Sequence, residues 1–277
     1  MQNPVYDLHS HSLESDGSLS PEALVIRAKE KGVTTLALTD HDTVSGLDIA
    51  HKAAQQQQLE LISGIEFSCT WQHKTFHIVG LNIDHHNPEL LAGAAHIQAI
   101  RNDRAKKISA KLAKKNIPDV FERLSAQENL NMITRTHLAN FLFEHNYVDS
   151  FQAAFNYYLA QGKPAFVSTE WATLEQVTQW IHQAGGVAVL AHPMRYKMTA
   201  SWMRRFLTAF TEQGGQGIEV ITARSNPDEI RRTIQFAKQF NLYASVGSDF
   251  HNTTNQWVEL GRLAPLPVNI KPVWDLF

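Results

Sequence analysis

Asp7-Leu8-His9-Ser10-His11, near the start of the chain, and Gly247-Ser248-Asp249-Phe250-His251, near its end, decide how everything between them is read. Each sets its His-x-His or Asp-x-His on what reads as the tip of a strand. Residues two apart in a strand project to the same face, so His9 and His11 can converge on one ion, and so can Asp249 and His251. Neutral imidazoles and carboxylates are the donors that hold Zn²⁺, Mn²⁺ or Fe ions. More donors of these two types stand where strands should end: Asp16, His41, Glu66, His77 and His192.

Taken singly, each has an ordinary structural explanation, because most of the 14 histidines of any such chain are surface or hydrogen-bonded residues. Their settings say more. His41 lies in Thr39-Asp40-His41-Asp42, directly after the apolar run Thr34 to Leu38, where Asp40 and Asp42 are placed to orient ligand imidazoles. His192 follows Val187 to Ala191 and precedes Pro193, which stops the strand. Glu66 closes Leu61 to Ile65, where an unpaired acid would be costly. His77 sits in Thr75 to Gly80 at a period-2 position that also suits a core-edge histidine. Together they point to a polynuclear metal site.

Composition fits a soluble enzyme. With 277 residues, 43% of them hydrophobic, the chain can bury a large core as a single domain of barrel size. A net charge of −2 argues against attraction of nucleic acid by the whole molecule, so any polyanion must bind locally. The one cysteine, Cys69, excludes an intrachain disulfide. No apolar run nears the ~20 residues of a membrane span and no signal peptide is evident. A cytoplasmic location, with no membrane and no obligate protein partner, is expected.

Strand-like runs alternate with capped helical segments, as in parallel βα units. Val5 to Leu8, Thr34 to Leu38, Leu59 to Ile65, Lys74 to Leu81, Val187 to Ala191, Gly217 to Ile221 and Tyr243 to Val246 read as strands. Ser20-Pro21, Thr173 to Gln176 and Asn226-Pro227 read as helix starts. The candidate ligands follow the strands, which in a βα barrel is the active-site face.

From about residue 88 to 162 the alternation stops and the pattern is helical, an inserted subdomain. Arg104, Lys107, Lys111 and Lys115 recur along one helical stripe, either a solvated face or a track for a short polyphosphate backbone. Arg135 and His137, in Thr134-Arg135-Thr136-His137, together with Lys163 and Arg195, are candidate substrate-binding residues, with Arg135, Lys163 and Arg195 suited to clamp phosphate.

His9-x-His11, Asp16-Gly17, Thr39-Asp40-His41, Gly64-Ile65-Glu66, His77-x-x-Gly80, Ala191-His192-Pro193 and Ser248-Asp249-x-His251 resemble, in order, the motifs of the PHP (polymerase and histidinol phosphatase) metallophosphoesterases. The resemblance spans nearly the whole chain. Within that family it is greatest to small stand-alone enzymes acting on nucleoside 3′,5′-bisphosphates and short 5′-phosphorylated RNA. It implies an α/β fold, a distorted (β/α)7 barrel, with three divalent metal ions, often Mn²⁺. It also implies a ligand partition: His9, His11, Glu66 and Asp249 for one ion, Glu66, His77 and His192 for a second, and Asp16, His41 and His251 for a third. Relatives often carry Gly-Arg-Pro-His where this chain has Thr134 to His137.

The chemistry such a ligand set suits is hydrolysis of a phosphate ester by a metal-activated hydroxide, with Glu66, His192 and Asp249 as the residues carrying catalysis. Three other readings are open. A histidinol-phosphate or other small-molecule phosphatase would use the same chemistry. An amidohydrolase also uses an early His-x-His but leaves Asp16, His41 and Glu66 without a shared purpose. A non-catalytic nucleic-acid-binding module would not need the full ligand set.

Overall fold

The computed structural model describes residues 4–127 and 132–277. Seven strands form a nearly closed barrel: β1 (Tyr6–Asp7), β2 (Thr35–Leu38), β3 (Glu60–Trp71), β4 (Lys74–Leu81), β6 (Val187–Leu190), β7 (Gly217–Thr222) and β8 (Tyr243–Gly247) follow one another in that order. The short β5 (Ala172–Thr173) pairs with the far end of β3. The barrel closes where Leu8 donates to the Val246 carbonyl and Ser10 bridges Phe250.

The expected all-parallel alternation breaks at one place. β4 runs antiparallel to both β3 and β6, and β3 continues six residues beyond its expected end at Ile65. The cause is a tight hairpin at Gln72-His73, whose φ values of 46° and 59° are those of a two-residue turn that matches strand twist. Neither residue is the Asn or Gly that normally announces such a turn. Glu66 and His77 therefore lie inside strands rather than at strand ends.

Helices α1 (Pro21–Glu30) and α2 (Leu47–Gln57) cover β2, starting from the expected Ser20 cap in the case of α1. The helices α7 (Leu174–Gln183), α8 (Ala200–Glu212) and α9 (Pro227–Gln239) cover the other flank, where Phe67, Phe76, Phe206 and Phe210 are fully buried. Capping boxes at Thr173 and Asn226 open α7 and α9. Inside the barrel, Leu8, Ala37, Val79, Leu81, Val187, Val189 and Ala191 fill one end, and a Tyr6–Trp274 stack at 3.9 Å plugs it.

Over the opposite end lies a helical layer: α3 (Pro88–Ala113), α4 (Val120–Ser125), α5 (Arg135–Glu144), α6 (Phe151–Ala154) and a π-helical turn, Phe155–Leu159. The first turns of α3 pack on the barrel through Leu90, Ala94 and Ile97. A separate apolar cluster running from Ala105 to Ala165 holds the layer together.

Candidate metal centre

The end of the barrel not plugged by apolar residues gathers all nine candidate ligands. His9 Nε2 and His11 Nε2 are 3.1 Å apart. Each lies 3.2–3.4 Å from Glu66 Oε2 and Asp249 Oδ1. The other Glu66 oxygen is 3.0 Å from both His77 Nδ1 and His192 Nε2. A third group joins His11, Asp16, His41 and His251, with His251 Nε2 3.3 Å from Asp16 Oδ1 and His41 Nδ1 2.9 Å from Glu66 Oε2.

Backbone geometry puts them there. His41 bridges Glu66 just past the paired part of β2, and Ala191 donates to the His77 carbonyl, which brings β6's terminal His192 beside β4. His192 and Asp249 both take left-handed φ values, 30° and 54°, turning their side chains inward at the strand ends. Gly247 lets β8 approach β1, since a Cβ there would meet His9 Cβ at 2.3 Å.

Five buried atoms of this cluster, His11 Nδ1, Asp16 Oδ1, His41 Nδ1, Glu66 Oε2 and His192 Nδ1, lack a hydrogen-bond partner. Each such atom costs roughly 1–3 kcal/mol unless something satisfies it. Divalent cations would do so for Asp16 Oδ1, His41 Nδ1 and Glu66 Oε2, which face the other donors, and the residues present fit them. Burial alone would raise the Glu66 carboxyl, but His41, His9 and His77 outweigh it and hold it well below the usual range. Burial pushes His41 down to about 4, while the carboxylate neighbours of His9 raise it well above the ordinary value against its own burial. Burial also opposes protonation of His251, yet Asp16 and Asp249 push it up to about 10. The cluster attracts positive charge strongly.

Asp40 and Asp42 do not contact ligand imidazoles. Asp40 accepts from the Ser12 amide and hydroxyl and from Ser15, pinning the loop between His11 and Asp16. Asp42 accepts from the Ser68 amide and from Arg101. The carboxylate that orients a ligand is Glu219 on β7, whose two oxygens accept from His9 Nδ1 and the His192 amide, both at 2.6 Å. A fully buried acid in the apolar run Gly217 to Ile221 is the same kind of signal as Glu66, and it was legible.

Beside the ligands opens a cleft of about 610 Å³, lined by Asp16, His41 and His77 on one wall and by Arg101, Arg104, Arg135, Thr134 and Thr136 on the other. Arg135 is largely buried, donates to the Val167 carbonyl and lies over the Phe166 ring. Arg101 and Arg104 both pack on Trp171, and the Arg104 Nε has no partner. The expected stripe splits: Arg104 turns into the cleft, Lys111 donates to the Phe166 carbonyl, and Lys107, paired with Asp103, and Lys115 are exposed. The signal for this was positional, because Arg101 and Arg104 continue the buried phase Leu90, Ala94, Ile97 and precede Ile108 and Leu112.

The remaining candidates differ. His137 lies off the cleft wall and closes a capping box, its ring accepting from the Thr134 amide at the start of α5. Lys163 is exposed and does not line the cleft. Arg195 pairs with Asp249 and lines a second cavity of about 250 Å³ with His192, Glu219 and Arg224. Thr136 donates to Asp16 Oδ2 at 2.8 Å, so the unusual threonine ties the helical layer to a candidate ligand.

A mixed α/β barrel with nine clustered imidazole and carboxylate donors at one end defines a metal-binding barrel. More narrowly, the chain belongs to the PHP domain family, whose model matches residues 7–223. A 5′-3′ exoribonuclease of Haemophilus influenzae is 43% identical over 98% of this chain and 98% of its own length. A 3′,5′-nucleoside bisphosphate phosphatase of Chromobacterium violaceum is 40% identical over 97% of this chain and 94% of its own. A solved Chromobacterium violaceum structure, described as an amidohydrolase with bound sulfate and no metal, superposes with a TM-score of 0.92 at 40% identity, covering 98% of this chain and 95% of that one. Among the described residues no helix is long and apolar enough to cross a membrane.

Proposed function

We propose that this protein is a metal-dependent phosphoesterase acting on 3′,5′-nucleoside bisphosphates and short 5′-phosphorylated RNA in the cytoplasm. One observation carries the reading: a candidate metal centre and an arginine wall face each other across one cleft. Carboxylate-rich metal sites serve many hydrolases, but three guanidinium groups opposite the centre suit a substrate with a second phosphate. That wall also counts against amide hydrolysis, despite the description given to one structural relative.

The nine candidate ligands would hold three divalent ions, Mn²⁺ being the proposed metal, with Glu66 central because its two oxygens face different imidazoles. Bound there, such ions supply Lewis acidity that acidifies water and neutralises phosphate charge. Glu219 fixes the His9 tautomer so that Nε2 faces the centre. Arg135 and Arg104 grip the phosphate that is not cleaved, while Asp42 holds Arg101 in place beside them. His192, between the centre and the second cavity, would join the ligand set through Nε2, which faces Glu66 Oε1. The helical layer acts as a subdomain that walls the cleft.

The test is to incubate Mn²⁺-loaded protein with a 3′,5′-bisphosphate, a 5′-phosphorylated oligoribonucleotide, its 5′-hydroxyl counterpart and histidinol phosphate. Preferred turnover of the first two is expected. Faster release of phosphate from histidinol phosphate would replace this reading with that of a small-molecule phosphatase.

A further inference from the structure

Outside the centre lies a second imidazole cluster, on the flank where α2 meets the segment between β4 and α3. Asp48 Oδ1 is 3.1 Å from His85 Nε2 and 3.7 Å from His86 Nε2. None of these residues lines the cleft. We propose that Asp48, His85 and His86 form a separate site for a Zn²⁺-class divalent cation.

The spacing fits one ion. Ligand atoms about 2.0–2.1 Å from a tetrahedral zinc lie about 3.4 Å from each other, between the two separations seen here. The surroundings offer the donors a consistent arrangement. Ser63 Oγ sits 3.2 Å from His85 Nδ1 and 2.7 Å from His51 Nε2, and His51 stacks on His85. When His85 donates its Nδ1 proton to Ser63 and the Ser63 hydroxyl donates to His51, the His85 Nε2 lone pair is left facing a carboxylate oxygen. Two acceptors at 3.1 Å need positive charge between them.

The backbone holds the ligands in place beforehand. Ile83 donates to the Ser63 carbonyl, Asp84 to the Ala184 carbonyl, and His86 to the Asp84 carboxylate. The side chains of Asp48 and His86 are 66% and 70% exposed, which leaves room for water to complete the coordination. Two imidazoles and one carboxylate favour zinc over manganese in the ordinary affinity order, as the imidazole-rich centre also does, so zinc at the flank is counted as uptake beyond what the centre exchanges.

The experiment titrates Zn²⁺ into protein saturated with manganese and, after equilibrium dialysis, counts both metals by elemental analysis. Wild type should take up one zinc more than the manganese it releases and gain thermal stability. D48N and H85Q should each weaken that uptake at least tenfold, while E66Q, altered only at the barrel centre, should keep it. Zinc that merely displaces manganese, or uptake undiminished in both flank variants, overturns the proposal. So does an unchanged metal count, which would mean that a proton on His85 Nε2 satisfies Asp48 instead. Because D48N and H85Q leave every donor of the barrel centre in place, failure of the barrel-centre reading would leave this result interpretable.

Discussion

The two walls of the cleft are built on opposite plans. The barrel wall takes one or two side chains from each of several strands, and its residues are polar against an apolar background. The helical wall takes Arg101 and Arg104 from consecutive turns of one long helix and Arg135 from the first turn of α5. There the polar groups occupy positions that a core residue would otherwise hold. A barrel end concentrates donors because parallel strands finish together, whereas a helix can only present a stripe. The barrel wall is thus suited to gathering cations and the helical wall to gripping an anion at fixed reach.

That division predicts unequal losses. Glu66→Gln and Asp249→Asn keep shape but remove charge from the centre of the donor cluster, so turnover should fall by several orders of magnitude on every phosphate ester. Circular dichroism should remain native, since the apolar barrel core is untouched. Near-normal turnover in either variant would remove these residues from the ligand set. Glu219→Gln leaves the ligands in place but weakens the hold on His9, and a loss of about 10–100-fold in metal affinity or activity is expected. Metal titration by calorimetry measures it, and an unchanged affinity would make Glu219 a purely structural acid.

Arg135→Ala probes the helical wall. Removing a charge-assisted phosphate contact costs about 1.5–3 kcal/mol, at least tenfold in kcat/KM on a bisphosphate or 5′-phosphorylated RNA. A generic monophosphate ester should be hydrolysed almost as before. Equal losses on both would erase the distinction between the walls, and Arg104 would be tested next.

How legible each wall was in the sequence follows the same contrast. His9, His11, His192, Asp249 and His251 stood out because polar residues next to apolar strand runs break a period-2 pattern. Glu66 and His77 were found and so were both strands, but the run of β3 past Ile65 and the antiparallel turn into β4 were not, because the hairpin at Gln72-His73 carries no glycine or asparagine to mark it. Arg104 was read on a basic stripe, either a solvated face or a polyphosphate track, but Arg101 was not singled out, although the phase of both on α3 puts them with Ile97 and Ile108. His137, read as a substrate group, closes the capping box of α5, since a histidine three residues after a threonine can cap a helix as readily as it can face a ligand.

The pH response of the metal-free protein sharpens the barrel side. The His251 pKa is raised from 6.5 to about 10 against its own burial, chiefly by Asp16 and then Asp249. A raised folded-state value means the stabilisation is fully present below pH 6.5 and is lost as pH climbs through about 10. Metal-free protein should therefore lose denaturation free energy across that interval. His251→Gln should flatten part of the slope, with His9 supplying the rest, and divalent metal should change the profile by replacing the proton. A slope identical in wild type and variant would show that His251 is not protonated in the folded, metal-free state.

Thr136 joins the two walls, and its replacement should have the smallest effect. Its hydroxyl donates to Asp16 Oδ2, and Asp16 Oδ1 faces His251, so the helical layer and the centre share one carboxylate. Thr136→Val keeps the shape and removes a single hydrogen bond, worth about 0.5–1.5 kcal/mol. If the bond positions the arginine wall, the cost should fall on KM for doubly phosphorylated substrates, by a few-fold, with kcat on a simple ester unchanged. A matching fall in kcat on the simple ester would instead place the role of Thr136 in setting Asp16, making the threonine part of the metal centre rather than a hinge between the walls. The variant therefore decides to which wall the joint belongs.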